Sequence, residues 1–168
     1  MNRPQPDEYG EFYKGYIDSV NDDVMTELET QATEIPVFFR SIPKEKADFA
    51  YAEGKWTVKQ LLGHIIDTER IMAYRLLRIS RNDSTPLPGF EENDFVKYSN
   101  FSNQSFGTLI DEFEAVRKAN LFLIGSLTED QLNRKGTASG LPISVRALLF
   151  IMAGHAKHHC KVVSERYL

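Results

Sequence analysis

The sequence contains one cysteine, one tryptophan and four histidines in 168 residues. With Cys160 alone, no internal disulfide can form, and a reducing compartment suits the chain. No stretch approaches the ~18 consecutive apolar residues that a membrane-spanning helix needs. The opening MNRPQPDEYGEF has no basic region followed by an apolar run, so no secretory signal is read there. A cytoplasmic location is therefore expected. An excess of positive charge is also missing: 20 Lys and Arg stand against 24 Asp and Glu, with the signs interspersed. Nothing in that balance calls for nucleic acid as a partner.

The chain does have the means to bury a core. Its 42% hydrophobic and 26% charged residues lie near the globular average, which excludes wholesale disorder. Residues 1–17, rich in Pro, Gly and acids, read as an irregular lead-in to a single domain over 18–168. From about 18 to 42, Val20, Val24, Leu28, Ile35, Phe38, Phe39 and Ile42 recur at helical spacing, with Pro36 placed to kink or divide the helix. A second helix begins at Thr57, whose spacing to Gln60 is that of a capping box, with Trp56 and Leu61 in the staple positions. It runs to about Arg81. A long loop over 82–102 carries Phe90, Phe95 and Phe101, which either pin it to the bundle or line the mouth of a pocket. A third helix is expected over 103–127 with Ser102 as its cap, and a last one from Ser144 almost to Leu168. Four amphipathic segments without a strand pattern indicate an all-α four-helix bundle with a long crossover.

The histidines are His64, His155, His158 and His159. At roughly 100° per residue, His155 and His159 point the same way, one turn apart. Leu148, Ile151, Met152, Val162 and Val163 share their arc, so both imidazoles face the core. Two histidines stacked in an apolar interior cannot both hold a proton cheaply, and a shared divalent cation resolves the conflict. Zinc, nickel or copper would suit neutral imidazole. The plainer alternative is a pair of core histidines bonded to backbone or to each other. His64 lies at the edge of the apolar arc of its own helix. There it is either an interfacial polar residue or a third ligand reaching toward a facing helix, and three imidazoles leave a tetrahedral ion one open position. His158 sits to one side, as a flanking residue.

Other residues are candidates for supporting roles. Glu69 falls near the middle of the apolar arc, where a carboxylate is costly unless paired, and Asp67 lies nearer solvent. Either could orient a ligand histidine or act as a catalytic base. The competing readings are a buried ion pair with an arginine for Glu69 and a surface one for Asp67. Arg75 lies roughly 20° from His64 around the helix, with Arg78 nearby. They would attract an anionic substrate or remain solvated. Cys160 points away from the histidine pair and reads as a packing residue.

The segments KWTVKQLLGHIIDTERIMAYRLLRI, TPLPGFEENDFV and GTASGLPISVRALLFIMAGHAKHHCKVVSERYL resemble the DinB superfamily, near its YfiT-like metal-dependent branch. The similarity spans about residues 18–168. It implies a four-helix bundle with a long crossover, often dimeric, and one divalent metal ion, zinc or nickel, held by His64 in GHIIDTER and by His155 and His159 in HAKHH. It also implies a small-molecule substrate. Its characterised members include bacillithiol-dependent transferases, with a mycothiol-dependent isomerase more distant. The leading expectation is therefore a low-molecular-weight-thiol S-transferase. A hydrolase using water at the metal and a non-catalytic metal-binding or sensing bundle are the rivals.

Overall fold

A computed structural model describes all 168 residues. In chain order the elements are α1 (Lys14–Asp18), α2 (Val24–Ser41), α3 (Val58–Ser80), α4 (Glu92–Tyr98), α5 (Phe106–Gly125), α6 (Glu129–Leu132), β1 (Lys135–Ala138), β2 (Leu141–Ser144) and α7 (Val145–Arg166). Helices α2, α3, α5 and α7 form the bundle.

Each long helix begins where a side chain can accept an otherwise orphaned backbone N–H. Asp23 accepts from Thr26 N, Ser105 from Thr108 N and Ser144 from Ala147 N. Thr57 and Gln60 make the full reciprocal capping box at the start of α3, as their spacing predicts. Two boundaries differ from the sequence reading. The 18–42 pattern divides at Asp23 rather than at Pro36, which is accommodated inside α2. The third helix starts at Ser105 rather than Ser102, because Phe101–Asn103 forms a separate 3-10 turn.

Within residues 1–17, expected as an irregular lead-in, lie two 3-10 turns, Pro6–Glu8 and Glu11–Tyr13, and the start of α1. Glu8 is buried, accepts a 3.0 Å hydrogen bond from Ser144 Oγ and pairs with Arg146, while Tyr9 and Ile17 enter the core. The expected absence of strands is also corrected: β1 and β2 form a small antiparallel hairpin, Lys135 opposite Ser144 and Ala138 opposite Leu141. Ser139 (φ +54°) and Gly140 (φ +77°) occupy its two-residue turn, where left-handed backbone matches the twist of the strands. Leu87 bridges to Ala138 and fastens the long α3–α5 connection to the hairpin.

Between two apolar clusters lies a polar layer that touches every helix of the bundle. The first cluster includes Met72 on α3 and ends at Ala153 on α7; the second includes Ile65 and Ile66 on α3 and resumes at Ala156 on α7. In the gap, Arg117 of α5 makes a bidentate pair with Glu69 of α3, at 2.7 and 2.9 Å. Its Nη1 also donates to Gln31 Oε1 of α2 at 2.9 Å, and Gln31 Nε2 donates to the Ala153 carbonyl of α7 at 3.0 Å. Asn120 adds a 3.1 Å bond to Glu69.

Helix α1 lies against α7 at Gly154, where an added Cβ would stand 2.2 Å from the Tyr16 carbonyl oxygen. Gly154→Ala is expected to lower stability by about 1–3 kcal/mol, the usual cost of overpacking. Gly107, near the start of α5, has open space around its would-be Cβ. There Gly107→Ala is expected to be neutral or stabilising by up to about 1 kcal/mol. Urea unfolding of both variants checks the contrast.

Candidate metal centre

The polar layer places three histidines side by side. His64 comes from the second turn of α3, while His155 and His159 come from one face of α7. His155 Nε2 lies 2.9 Å from His64 Nε2 and 3.1 Å from His159 Nε2, and the ligand atoms of all three rings fall within 4.8 Å of one another. Trp56 packs on the outer side of His64, their ring centroids 4.8 Å apart. Tyr16 meets the edge of His155 at 5.5 Å.

Burial keeps these rings neutral. It pushes His64 down to about 4 and His159 down to about 3, the latter aided by the neighbouring His64 and His158. His155 is held well below its usual range by burial first and by the surrounding histidines second. Neutral rings in this arrangement leave a deficit. An uncharged imidazole nitrogen carries either one hydrogen or one lone pair, so His155 Nε2 cannot satisfy both of its close neighbours. His159 Nδ1 is likewise buried without a partner. A divalent cation would accept all three Nε2 lone pairs at once. Four-coordinate geometry at about 2.0–2.1 Å from each nitrogen sets them about 3.3 Å apart; the 2.9 and 3.1 Å separations here are a few tenths of an ångström shorter, and the third pair lies within 4.8 Å. The donor set therefore fits a metal ion.

His64 and His155 also line a cavity of about 440 Å³. Its remaining wall comes from Phe12 and Tyr13 just before α1, Tyr16 within it, Thr68 and Met72 of α3, Gly89, Phe90 and Glu92 of the crossover, and Ser139 of the hairpin. The histidine cluster thus has a protein side and a cavity side.

The other sequence candidates fall elsewhere. Both Glu69 oxygens are taken up by Arg117 and Asn120, so the ion-pair reading describes its place. Asp67 is half-buried, its carboxyl raised by that burial against the pull of Arg70, and it lines a separate depression with Asp94, Phe95 and Tyr98. His158 is exposed and packs on Tyr16 and His159 outside the cluster. Burial pushes the Cys160 thiol up to about 12, leaving it a protonated packing residue. Phe101 is pressed over Gly63, pinning the crossover to the bundle, whereas Phe90 lines the cavity. Arg78 pairs with Asp83 near the surface; Arg75 is buried. Tyr13, Tyr16, Thr68, Glu92 and Ser139 were not singled out from the sequence. Only Thr68, one turn beyond His64 on the same face, carried a usable signal.

The DinB superfamily model matches residues 27–163. Two curated proteins of Oceanobacillus iheyensis are similar, and the name of each ascribes to it a metal-dependent hydrolase activity. OB0413 is 27% identical over 137 residues, covering 80% of this chain and 78% of its own length. OB0782 is 26% identical over 167 residues, covering 95% and 92%. Among solved structures, YfiT from Bacillus subtilis is described as a probable metal-dependent hydrolase with an unusual four-helix bundle topology. It aligns with a TM-score of 0.66 at 18% identity, over 98% of this chain and 91% of that one. A mycothiol-dependent maleylpyruvate isomerase aligns with a TM-score of 0.70 at 14% identity, over 86% of this chain and 61% of that one. At such identities the likeness to both structures is one of fold.

Single substitutions His64→Ala, His155→Ala and His159→Ala are expected to remove stoichiometric metal while leaving most of the helix content. His158→Ala should have a weaker effect. Elemental analysis with far-ultraviolet circular dichroism separates these outcomes, and near-stoichiometric metal in the first three would refute the ligand set. The metal-free protein should also lose stability below pH 6.5. The unfolded chain protonates its histidines near 6.5, whereas His64 and His159 stay neutral in the fold down to about 4 and about 3, so unfolding takes up protons across that window. Denaturation midpoints at pH 7, 5.5 and 4.5 test this, and the decline should be shallower in His64→Ala.

Proposed function

This chain belongs to the DinB superfamily, and from that membership and its imidazole cluster we propose that it is a metal-dependent enzyme acting on a small molecule. His64, His155 and His159 would hold one divalent ion, zinc or nickel, and a low-molecular-weight thiol would be the cosubstrate of an S-transfer reaction. The observation that carries this reading is the convergence of three neutral Nε2 atoms at the wall of a cavity of about 440 Å³.

When bound, the ion supplies a Lewis acid that favours the deprotonated form of a thiol or water entering from the cavity. The chain's own residues do the rest. Apolar surroundings keep the three imidazoles uncharged, so the ion meets lone pairs instead of protons at neutral pH. Trp56 fixes the outer face of His64. The Arg117–Glu69 pair holds α3 in register and makes Glu69 a positioning residue; Asp67 stands one turn from His64 on the same helix but outside the cavity. Glu92 is the one carboxylate lining the cavity and would be the base there for a proton released by an incoming nucleophile.

The thiol reading draws support from the isomerase of the same fold, which is described as mycothiol-dependent. A hydrolytic reading is the second candidate, favoured by the names of the curated relatives and by the presence of Glu92 as a base for water. The two separate in one assay series. Metal-loaded protein is given monochlorobimane with bacillithiol, glutathione or coenzyme A, and in parallel ester and amide substrates without thiol. Metal-dependent conjugation that disappears in His155→Ala is the expected result. Cleavage without thiol would replace it with the hydrolytic reading. Silence in both series from protein carrying stoichiometric metal would remove the catalytic claim.

A further inference from the structure

The protein buries two arginines almost completely, and it treats them differently. Arg117 is neutralised by Glu69. Arg75, 2% exposed, has only neutral partners: the Pro88 carbonyl at 2.8 Å, Ser139 Oγ at 3.0 Å and Met72 Sδ at 3.9 Å. Its guanidinium lies 6.0 Å from the centre of the Phe90 ring and is close enough to Tyr13 to act on that phenol. Met72, Phe90, Ser139 and Tyr13 are all cavity-lining residues. The unpaired Arg75 guanidinium therefore lies directly behind the wall of the cavity that the histidines face, whereas Glu92, the one carboxylate in that wall, acts on Tyr16, which meets the edge of His155. A buried charge without a counter-charge is costly, and a fold of this size has ample means to avoid one.

The chemistry of the wall says how that charge is presented. Arg75 donates to Ser139 Oγ, so the hydroxyl hydrogen of Ser139 is left to point elsewhere, and the group opens on the cavity as a donor polarised by a cation. Thr68 adds a second hydroxyl. It is 4% exposed, its Oγ1 has no hydrogen-bond partner, and it too lines the cavity. On α3, His64, Thr68 and Arg75 fall on one face, with Arg75 roughly 20° from His64 and about 16 Å further along the axis at Cα. Its side chain leans back toward the helix N-terminus, which brings the guanidinium closer to the histidines.

We propose that the cavity is built for an elongated anionic ligand: its nucleophilic head at the His64–His155–His159 cluster, Thr68 Oγ1 along its length, and a carboxylate tail at Ser139 and Arg75. The proposal rests on the thiol reading above for the position of the head. It adds the charge and length of the molecule and makes Ser139 and Arg75 specificity residues.

The test uses cobalt(II)-loaded protein and two matched probes, 6-mercaptohexanoate and 6-mercaptohexanol. A thiolate-to-cobalt absorption band reports the head, and calorimetric affinity reports the tail. The carboxylate should bind about ten- to hundredfold more tightly than the alcohol, the range of a hydrogen-bonded charged group. Ser139→Ala and Arg75→Met, neither of which touches the histidines, should each erase most of that preference while keeping the band. Arg75→Met should also match or exceed the parent in thermal stability, since it removes a charge that no carboxylate balances. If that variant misfolds, Ser139→Ala still decides. A band from both probes with equal affinities overturns the anionic tail and leaves the thiol reading standing. A preference without a band overturns the thiol reading alone. A preference that survives in both variants, or no binding of either probe, overturns the assignment of Ser139 and Arg75.

Discussion

The buried Arg117–Glu69 pair and its extension through Gln31 to the Ala153 carbonyl are what the rest of the molecule depends on. Apolar packing alone leaves register partly open, because cores that keep volume and pattern can repack and lose uniqueness before they lose stability. A bidentate ion pair in an apolar interior tolerates no such repacking, since displacement leaves a charge unpaired. Its net contribution to stability is modest by the same reasoning; its effect is on which arrangement is allowed. Glu69 lies five residues beyond His64 and Ala153 two before His155, so the network sets α3 and α7 in the alignment that lets their imidazoles meet.

That alignment has an electrostatic consequence. Three imidazoles brought within 4.8 Å away from water cannot take up protons at neutral pH, and as neutral rings they cannot satisfy one another fully. The cluster is thus a concentration of lone pairs with too few donors in the chain to receive them all. Cys160, next to His159 in sequence, does not share this character, because burial keeps it protonated and its helix face turns it toward α2 and Ile35. Residue type and sequence adjacency alone would have made it a tempting fourth ligand; helical angle rules it out.

Much of the bundle was readable from local chemistry. The Thr57–Gln60 box, the apolar stripes of α3, α5 and α7 and the four-residue step from His155 to His159 each express a rule that acts within one or two turns. What escaped the sequence depends on partners distant along the chain. Arg117 looks like any polar residue in an amphipathic helix, and only the fold brings Glu69 to it from 48 residues away. The hairpin was missed because β1 and β2 are four residues each, with Gly136, Pro142 and little alternation to mark them. Residues 1–17 were read as irregular because Pro, Gly and acids dominate, although Glu8 and Ile17 find buried places. The cavity wall was invisible for the same reason: Tyr13, Thr68, Glu92 and Ser139 come from four separate stretches.

The order in which those stretches occur bears on how the centre is assembled. Its first imidazole lies in the first half of the chain, while the other two lie on the final helix, and one wall of the cavity comes from residues 12–16. During synthesis the early pieces must wait for the last helix to emerge before any of the three-cornered arrangement exists. The three rings can therefore meet only once α7 has been made and packed against α3, and a product cut short before α7 would carry one imidazole of the three.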